Sequence, residues 1–328
     1  MQQPTNDIAI IHFLRGIASL SVCWFHFTNG RPDFLPIDNT VKMTGAYGWL
    51  GVEIFFIISG FIIPYTLYCN NYHISRFKGF MIKRIVRIEP AYLASIILVI
   101  ILGYLSTLSP YYKGEAFNVD LKSLVLHLFY LNAFFSEPWL NVVFWTLAIE
   151  FQYYLFIAIV FPLLVHNRLL YRVITTLALL GLSKLIPQTY LFFHYLPLFL
   201  VGIVCFQFRC GLAGRNESFS LGLICIATCQ VFAPYIMPIL ALVVALMILY
   251  VKISYNRFFW LGTVSYSLYL IHVPIGGRVI NLSTNFVEAE WARVLICFIT
   301  LAICVFAASL FYLLIEKPTQ QLSRKIAY

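Results

Sequence analysis

Long apolar stretches broken by short polar segments run the length of the chain. Ten can be drawn, at about 8–28, 47–68, 88–108, 143–165, 171–187, 190–207, 218–233, 235–251, 258–280 and 294–315. A bilayer core of roughly 30 Å needs about 20 residues of helix. The pattern therefore predicts an all-α, polytopic integral membrane protein with about ten transmembrane helices. Pro187 and Pro234 blur the boundaries of the spans around them. The stretch 119–135 (VDLKSLVLHLFYLNAFF) is short and polar, and is expected to lie at the interface or to re-enter the bundle. No repeat or linker divides the chain, which reads as one domain over 1–328.

Composition agrees. Hydrophobic residues make up 61% and charged residues 11%, against about 45–50% and about 25% in soluble chains. So few charges could not cover the surface of a soluble protein. The net charge of +9, from 22 basic and 13 acidic residues, would suggest nucleic acid in a soluble chain. In a membrane protein Lys and Arg collect in cytoplasmic loops, and no nucleic-acid partner is expected here. With the N-terminus inside, the inside loops hold Arg76, Lys78, Lys83, Arg84, Arg87, Arg168, Arg172, Arg209, Arg215, Lys252, Arg257, Lys317, Arg324 and Lys325. The outside loops hold half as many: Arg31, Lys42, Lys113, Lys122, Lys184, Arg278 and Arg293. Both termini are expected in the cytoplasm, with loops 29–46 and 109–142 outside. The eight cysteines form no CxxC pair and show no metal-ligand spacing, so neither a disulfide framework nor a metal is expected. The first apolar run has no cationic leader and contains Arg15 and His26, which argues against a cleaved signal peptide.

Ionisable residues inside spans are costly and mark candidate chemistry. Arg15 and His26 are eleven residues apart, which puts them on one helix face about 16 Å apart along the axis. Glu53 lies six residues into the second span, near the depth of His26. The fourth span carries Glu150 on a stripe with Trp145, Thr146 and Tyr154. The ninth carries Ser265, Tyr266, Tyr269 and His272. His26, Glu53, Glu150 and His272 thus converge on the mid-to-outer membrane. Buried pairs of this kind can serve only to lock helices together; two histidines and two acids at one level favour acid–base chemistry. There is no GxSxG nucleophile signature, and Ser59 reads as a helix-packing residue. At the cytoplasmic mouth of the third span, RFKGFMIKRIVRIEP brings together Lys83, Arg84 and Arg87. This is an ordinary positive-inside anchor or a phosphate-binding patch, since Arg forks suit phosphate oxygens.

FLRGIASLSVCWFHF, GVEIFFIISGFI, KRIVRIEPAY, FWTLAIEFQYYLF, GTVSYSLYLIH and IEKP resemble, in order and spacing, the acyltransferase 3 family. These membrane O-acyltransferases decorate lipopolysaccharide O-antigen, exopolysaccharides, Nod factors and related glycans. The resemblance covers about 8–318. It implies acyl-CoA, usually acetyl-CoA, as cytoplasmic donor, and a sugar hydroxyl on a lipid-linked or polymeric glycan as acceptor. It also implies a multi-pass location in the inner (plasma) membrane. Carried over by position, Arg15 and His26 form the Arg-x10-His pair with His26 as base. Arg84 and Arg87 match the cytoplasmic RxxR, with Lys83 beside them for the donor. Glu150 is the acid of the WxLxxE block. His272, Tyr269 and Trp145 are candidates for substrate contact. Many members have Asp where this chain has Glu53, whose extra methylene extends the carboxylate by about 1.5 Å. Some relatives add an SGNH hydrolase-like domain, and the stand-alone form is expected here. The rival reading is a proton-coupled membrane transporter, with the buried His and Glu residues relaying protons.

Overall fold

The computed structural model describes residues 5–112, 117–253 and 259–326. Lys113 and Arg257, both counted in the charge bias, and the first residue of the 258–280 span lie outside them. Among the described residues the fold is entirely helical. The first six helices are α1 (Thr5–Thr28), α2 (Thr40–Gly45), α3 (Gly51–Cys69), α4 (Phe77–Thr107), α5 (Leu121–Leu128) and α6 (Phe144–Leu164). Then follow α7 (Leu169–Leu185), α8 (Phe192–Arg209), α9 (Arg215–Thr228), α10 (Ile236–Tyr250), α11 (Phe259–Ser283), α12 (Glu290–Phe311) and α13 (Lys317–Arg324).

Each of the ten apolar runs holds a helix, but not every one is built to cross a bilayer unaided. Six segments are long and apolar enough: Ala9–Thr28, Thr40–Cys69, Ile74–Thr107, Phe144–Leu164, Phe192–Arg209 and Glu290–Arg324. The helices α7, α9 and α10 have only 17, 14 and 15 residues, so they reach about 21–26 Å against a core of about 30 Å. At 25 residues α11 is long enough, but Ser, Tyr, His and Arg side chains interrupt its apolar surface.

The third run differs most from expectation. The basic stretch before it is not a loop: α4 starts at Phe77 and continues for 31 residues through Pro90, a rod of about 46 Å. Arg84 and Arg87 therefore project from regular helical turns. The 119–135 segment crosses nothing. It forms α5, whose first turn is capped by the Asp120 carboxylate accepting from Ser123 N at 2.6 Å, followed by a 3-10 turn at Asn132–Phe135. His127 pins it down: Nδ1 lies 2.7 Å from Ser123 O, and Nε2 accepts from Leu140 N at 3.0 Å. Burial pushes this imidazole below its usual range, against the pull of the Ser123 carbonyl, so it stays neutral and can serve as both donor and acceptor.

Two apolar clusters make the core. One forms where α3, α6, α8 and α10 meet; the other joins α1, α4, α11 and α12. The central pillar is α8, buried along most of its length, whereas α4 and α12 are largely exposed and face outward. Glycines set the closest approaches. A Cβ at Gly60 of α3 would lie 2.1 Å from Phe199 O of α8, and one at Gly202 would lie 2.0 Å from Ile57 O. The two backbones touch where only glycine fits. Polar ties close the ends. Arg293 donates to Phe34 O (3.1 Å), Arg31 to Asn281 Oδ1 (3.1 Å) and Arg278 to Ser106 Oγ (3.0 Å) at one end. At the other, Arg172 forks onto both Glu217 oxygens (2.8 and 2.7 Å), and Arg209 donates to Leu249 O (3.0 Å).

Candidate active site

The seam between the two clusters is where the charged residues gather. α1 presents Arg15 and His26 on one face, and both meet α11. Arg15 Nε donates to Ser265 Oγ at 3.2 Å. The half-buried His26 ring lies against that of His272, with centroids 5.2 Å apart. His272 is fully buried, and its Nδ1 sits 2.8 Å from Tyr269 O and 3.1 Å from Leu268 O. Carbonyls only accept, so Nδ1 carries the proton. That leaves Nε2 as a buried acceptor with no hydrogen-bond partner among the described residues. Tyr269, whose ring lies 5.9 Å from His272, shares a 2.8 Å hydrogen bond between its phenol and Thr146 Oγ1 of α6.

On α6, Thr146, Glu150 and Tyr154 fall one turn apart. Glu150 Oε1 accepts from Tyr154 OH at 2.6 Å and from Ser59 Oγ of α3 at 3.1 Å. Ser59 is thus more than a packing residue. Arg15, Ser59, Thr146, Glu150, Tyr266 and Tyr269 line one central cavity of about 60 Å³. A narrower cavity adjoins it, lined by Arg84, Glu89, Tyr130 and Tyr154 and sharing Glu150 and Leu147 with the first. The buried Arg84 guanidinium lies over the rings of Phe80 (5.3 Å) and Tyr154 (5.4 Å). Among the described residues, Arg15, Arg84 and Arg87 form no ion pair. Glu150 supplies counter-charge in both cavities, but no carboxylate among the described residues grips these guanidiniums directly, which leaves donors for an anion entering this seam.

Three of the four ionisable groups expected at one level fall into two units, the His26–His272 pair and the cavity that Glu150 shares with Arg15, linked through Tyr269. Glu53 joins neither by a hydrogen bond. It is buried, with Oε2 lacking a partner among the described residues, and its nearest electrostatic neighbours include Tyr195 and Tyr269. Helical geometry explains why. Gly51 is the residue of α3 pressed onto α1, where a Cβ would meet Ala18 O at 2.3 Å. Glu53 stands about 200° further round and points away from α1. Trp145 also leaves the stripe expected of it, packing on Tyr195 at 5.7 Å beside a separate cleft. Lys83 lies half-buried on α4, away from the cavity lining.

Sequence reasoning missed two acids. Glu316 ends a π-turn (Tyr312–Glu316) after α12, a feature often found at functional sites. It is buried, accepts from both Ser267 N–H and Ser267 Oγ–H, and takes a 2.8 Å hydrogen bond from Gln320 Nε2. Arg15 and Arg87 both lie within its electrostatic reach. It stands at the edge of the last apolar run, and its place in IEKP is the signal that could have found it. The other is Glu89, which stands beside Pro90 in α4 and accepts from Tyr130 OH at 2.9 Å. Glu316→Gln keeps the shape and an acceptor for Ser267 but removes the charge facing the two arginines. Turnover should fall about tenfold with the thermal midpoint unchanged; wild-type turnover would deny Glu316 any part in the site.

A carboxylate and guanidiniums around a cavity inside a helical membrane bundle, with two packed imidazoles beyond Tyr269, define an enzyme-like site. The sequence signature of the acyltransferase 3 family, described as an acyltransferase domain, matches residues 8–310. The chain belongs to this family. It is 33% identical over 147 residues to ORF330 of Acidianus two-tailed virus, named as an acetyltransferase, a match covering 45% of this chain and 39% of that one. It is 29% identical over 153 residues to the O-acetyltransferase OatA of Staphylococcus aureus, covering 42% of this chain and 24% of that one. The chain therefore spans well under half of each relative's length. No solved structure matches it.

Proposed function

We propose that the chain is a membrane O-acetyltransferase that moves an acetyl group from acetyl-CoA to a hydroxyl of a cell-envelope glycan such as O-antigen or exopolysaccharide. One observation carries this reading: a cavity inside the bundle lined together by Arg15, Ser59, Glu150 and Tyr269, with the Arg84 guanidinium on its narrow neighbour. Family membership and the names of the relatives support it and weigh against the proton-coupled carrier.

In this reading all ten apolar helices cross the inner (plasma) membrane, with both termini in the cytoplasm. Acetyl-CoA enters from that side, its phosphates held by Arg84 and Arg87. His26 takes the proton of the acceptor hydroxyl as that oxygen attacks the thioester carbonyl. The new C–O bond forms, the C–S bond breaks, and the CoA thiolate leaves with the proton from the His26 imidazolium. Such general-base assistance contributes about 10²–10⁴-fold. The His272 ring, packed against His26, orients it. Arg15 stabilises the oxyanion, and Glu150, fixed by Ser59 and Tyr154, balances its charge. Glu53 supports the field from the Tyr195 side.

The direct test gives purified protein in lipid nanodiscs [¹⁴C]acetyl-CoA and lipid-linked or polymeric glycans. Label is expected in the glycan, alkali-labile as an ester, with one CoA released per acetyl transferred. CoA-independent, pH-driven solute flux without ester formation would reject the reading.

A further inference from the structure

A separate cleft of about 300 Å³ opens at the end of the bundle where α6 begins. Tyr130, Trp139, Trp145, Tyr190 and Tyr195 form its walls, with Ala148 among the small residues between them. Among the described residues, no Lys, Arg, Asp or Glu lines it. An uncharged aromatic cleft offers nothing to a phosphate or a carboxylate. Flat rings with hydroxyls at their edges, including that of Thr189, suit a molecule that is itself a ring with an apolar C–H face and a polar rim. That description fits a pyranose. The volume stands at the lower limit of small-molecule sites, about 300–1,000 Å³, which is room for one ring rather than a chain of them.

The walls are held in advance of any ligand. Trp145 packs on Tyr195, which is stacked on Phe232 at 5.8 Å. Trp139 stands edge-on to the pinned His127 ring at 5.6 Å. Gln152 holds the rim with both ends of its amide, donating to Tyr190 O and accepting from Phe192 N, each at 3.0 Å. Tyr130 adopts φ +58°, a strained conformation for a bulky residue and one found at functional positions. Its ring faces this cleft and also the narrow cavity that holds Arg84 and Glu150. It is the residue that both linings share.

We propose that this cleft is the acceptor subsite, taking one neutral pyranose ring between Trp139 and Trp145 with Tyr130 as the partition from the donor side. The assignment rests on the O-acetyltransferase reading, and the two can fail separately. Saturation-transfer NMR on the full chain, in nanodiscs of sugar-free phospholipid, would use methyl β-D-glucopyranoside and N-acetylglucosamine as probes without acetyl-CoA. Transfer to the ring C–H protons is expected, with none to sorbitol or glucose 6-phosphate. Trp145→Leu should weaken it about tenfold and Trp145→Phe should retain it; retention guards against a folding defect. Trp139→Leu should raise the acceptor KM about tenfold with the acetyl-CoA KM unchanged. No transfer to either pyranoside, equal transfer to sorbitol, or wild-type binding in Trp145→Leu would overturn the cleft assignment. Sugar binding by a protein that never acetylates a glycan would overturn the enzymatic reading and leave the cleft standing.

Discussion

Membranes carrying His26→Ala will transfer acetyl groups to glycan at least about 100-fold more slowly than wild type, at equal protein level. The size of the effect follows from the ring's place. His26 is half-buried and packs edge-on to Phe25 (5.3 Å) and against His272 (5.2 Å), so its loss removes one ring contact between α1 and α11 and little of the core. What goes is the imidazole beside the unpaired Nε2 of His272. His272→Gln should cost less, because the base remains and only its orientation suffers. Ester formation on the glycan, measured with labelled acetyl-CoA, decides the matter. Full activity in His26→Ala would remove it from the role of base.

Arg84→Ala will raise the KM for acetyl-CoA about 10–100-fold, the loss of a charge-assisted hydrogen bond or two, with the acceptor KM unchanged. Arg84→Lys should not restore it. The guanidinium is held as a plane over Phe80 and Tyr154, and an ammonium can neither stack in that way nor grip phosphate with two parallel hydrogen bonds. Initial rates across a wide range of acetyl-CoA concentration are the measurement. Lost activity that saturating donor cannot rescue would exclude a simple donor-binding role.

The helices were legible because the bilayer imposes a length on apolar runs, and each of the ten runs holds one. Three come out short because their runs are themselves short, as with α7 and α10, or because the helix stops before the run ends, as α9 does at Thr228. The pairing of α1 with α11 could be anticipated from His26 and His272, each an imidazole in an apolar helix. The destination of Glu53 could not, because that depends on Gly51 taking the contact with α1, and a glycine carries no hydrophobic signal. Glu316 was hidden for a related reason. An acid at the end of an apolar run looks like a membrane boundary until the chain continues as a π-turn and folds it inward.

The short helices also bear on the membrane around the protein. α7, α9 and α10 reach about 21–26 Å while α4 is a rod of about 46 Å. Under the proposed topology this hydrophobic mismatch thins the lipid along one flank only. The protein would sit as a wedge in the bilayer, and a lipid-linked acceptor arriving on the thin flank would travel a shorter distance to the buried chemistry than one arriving beside α4.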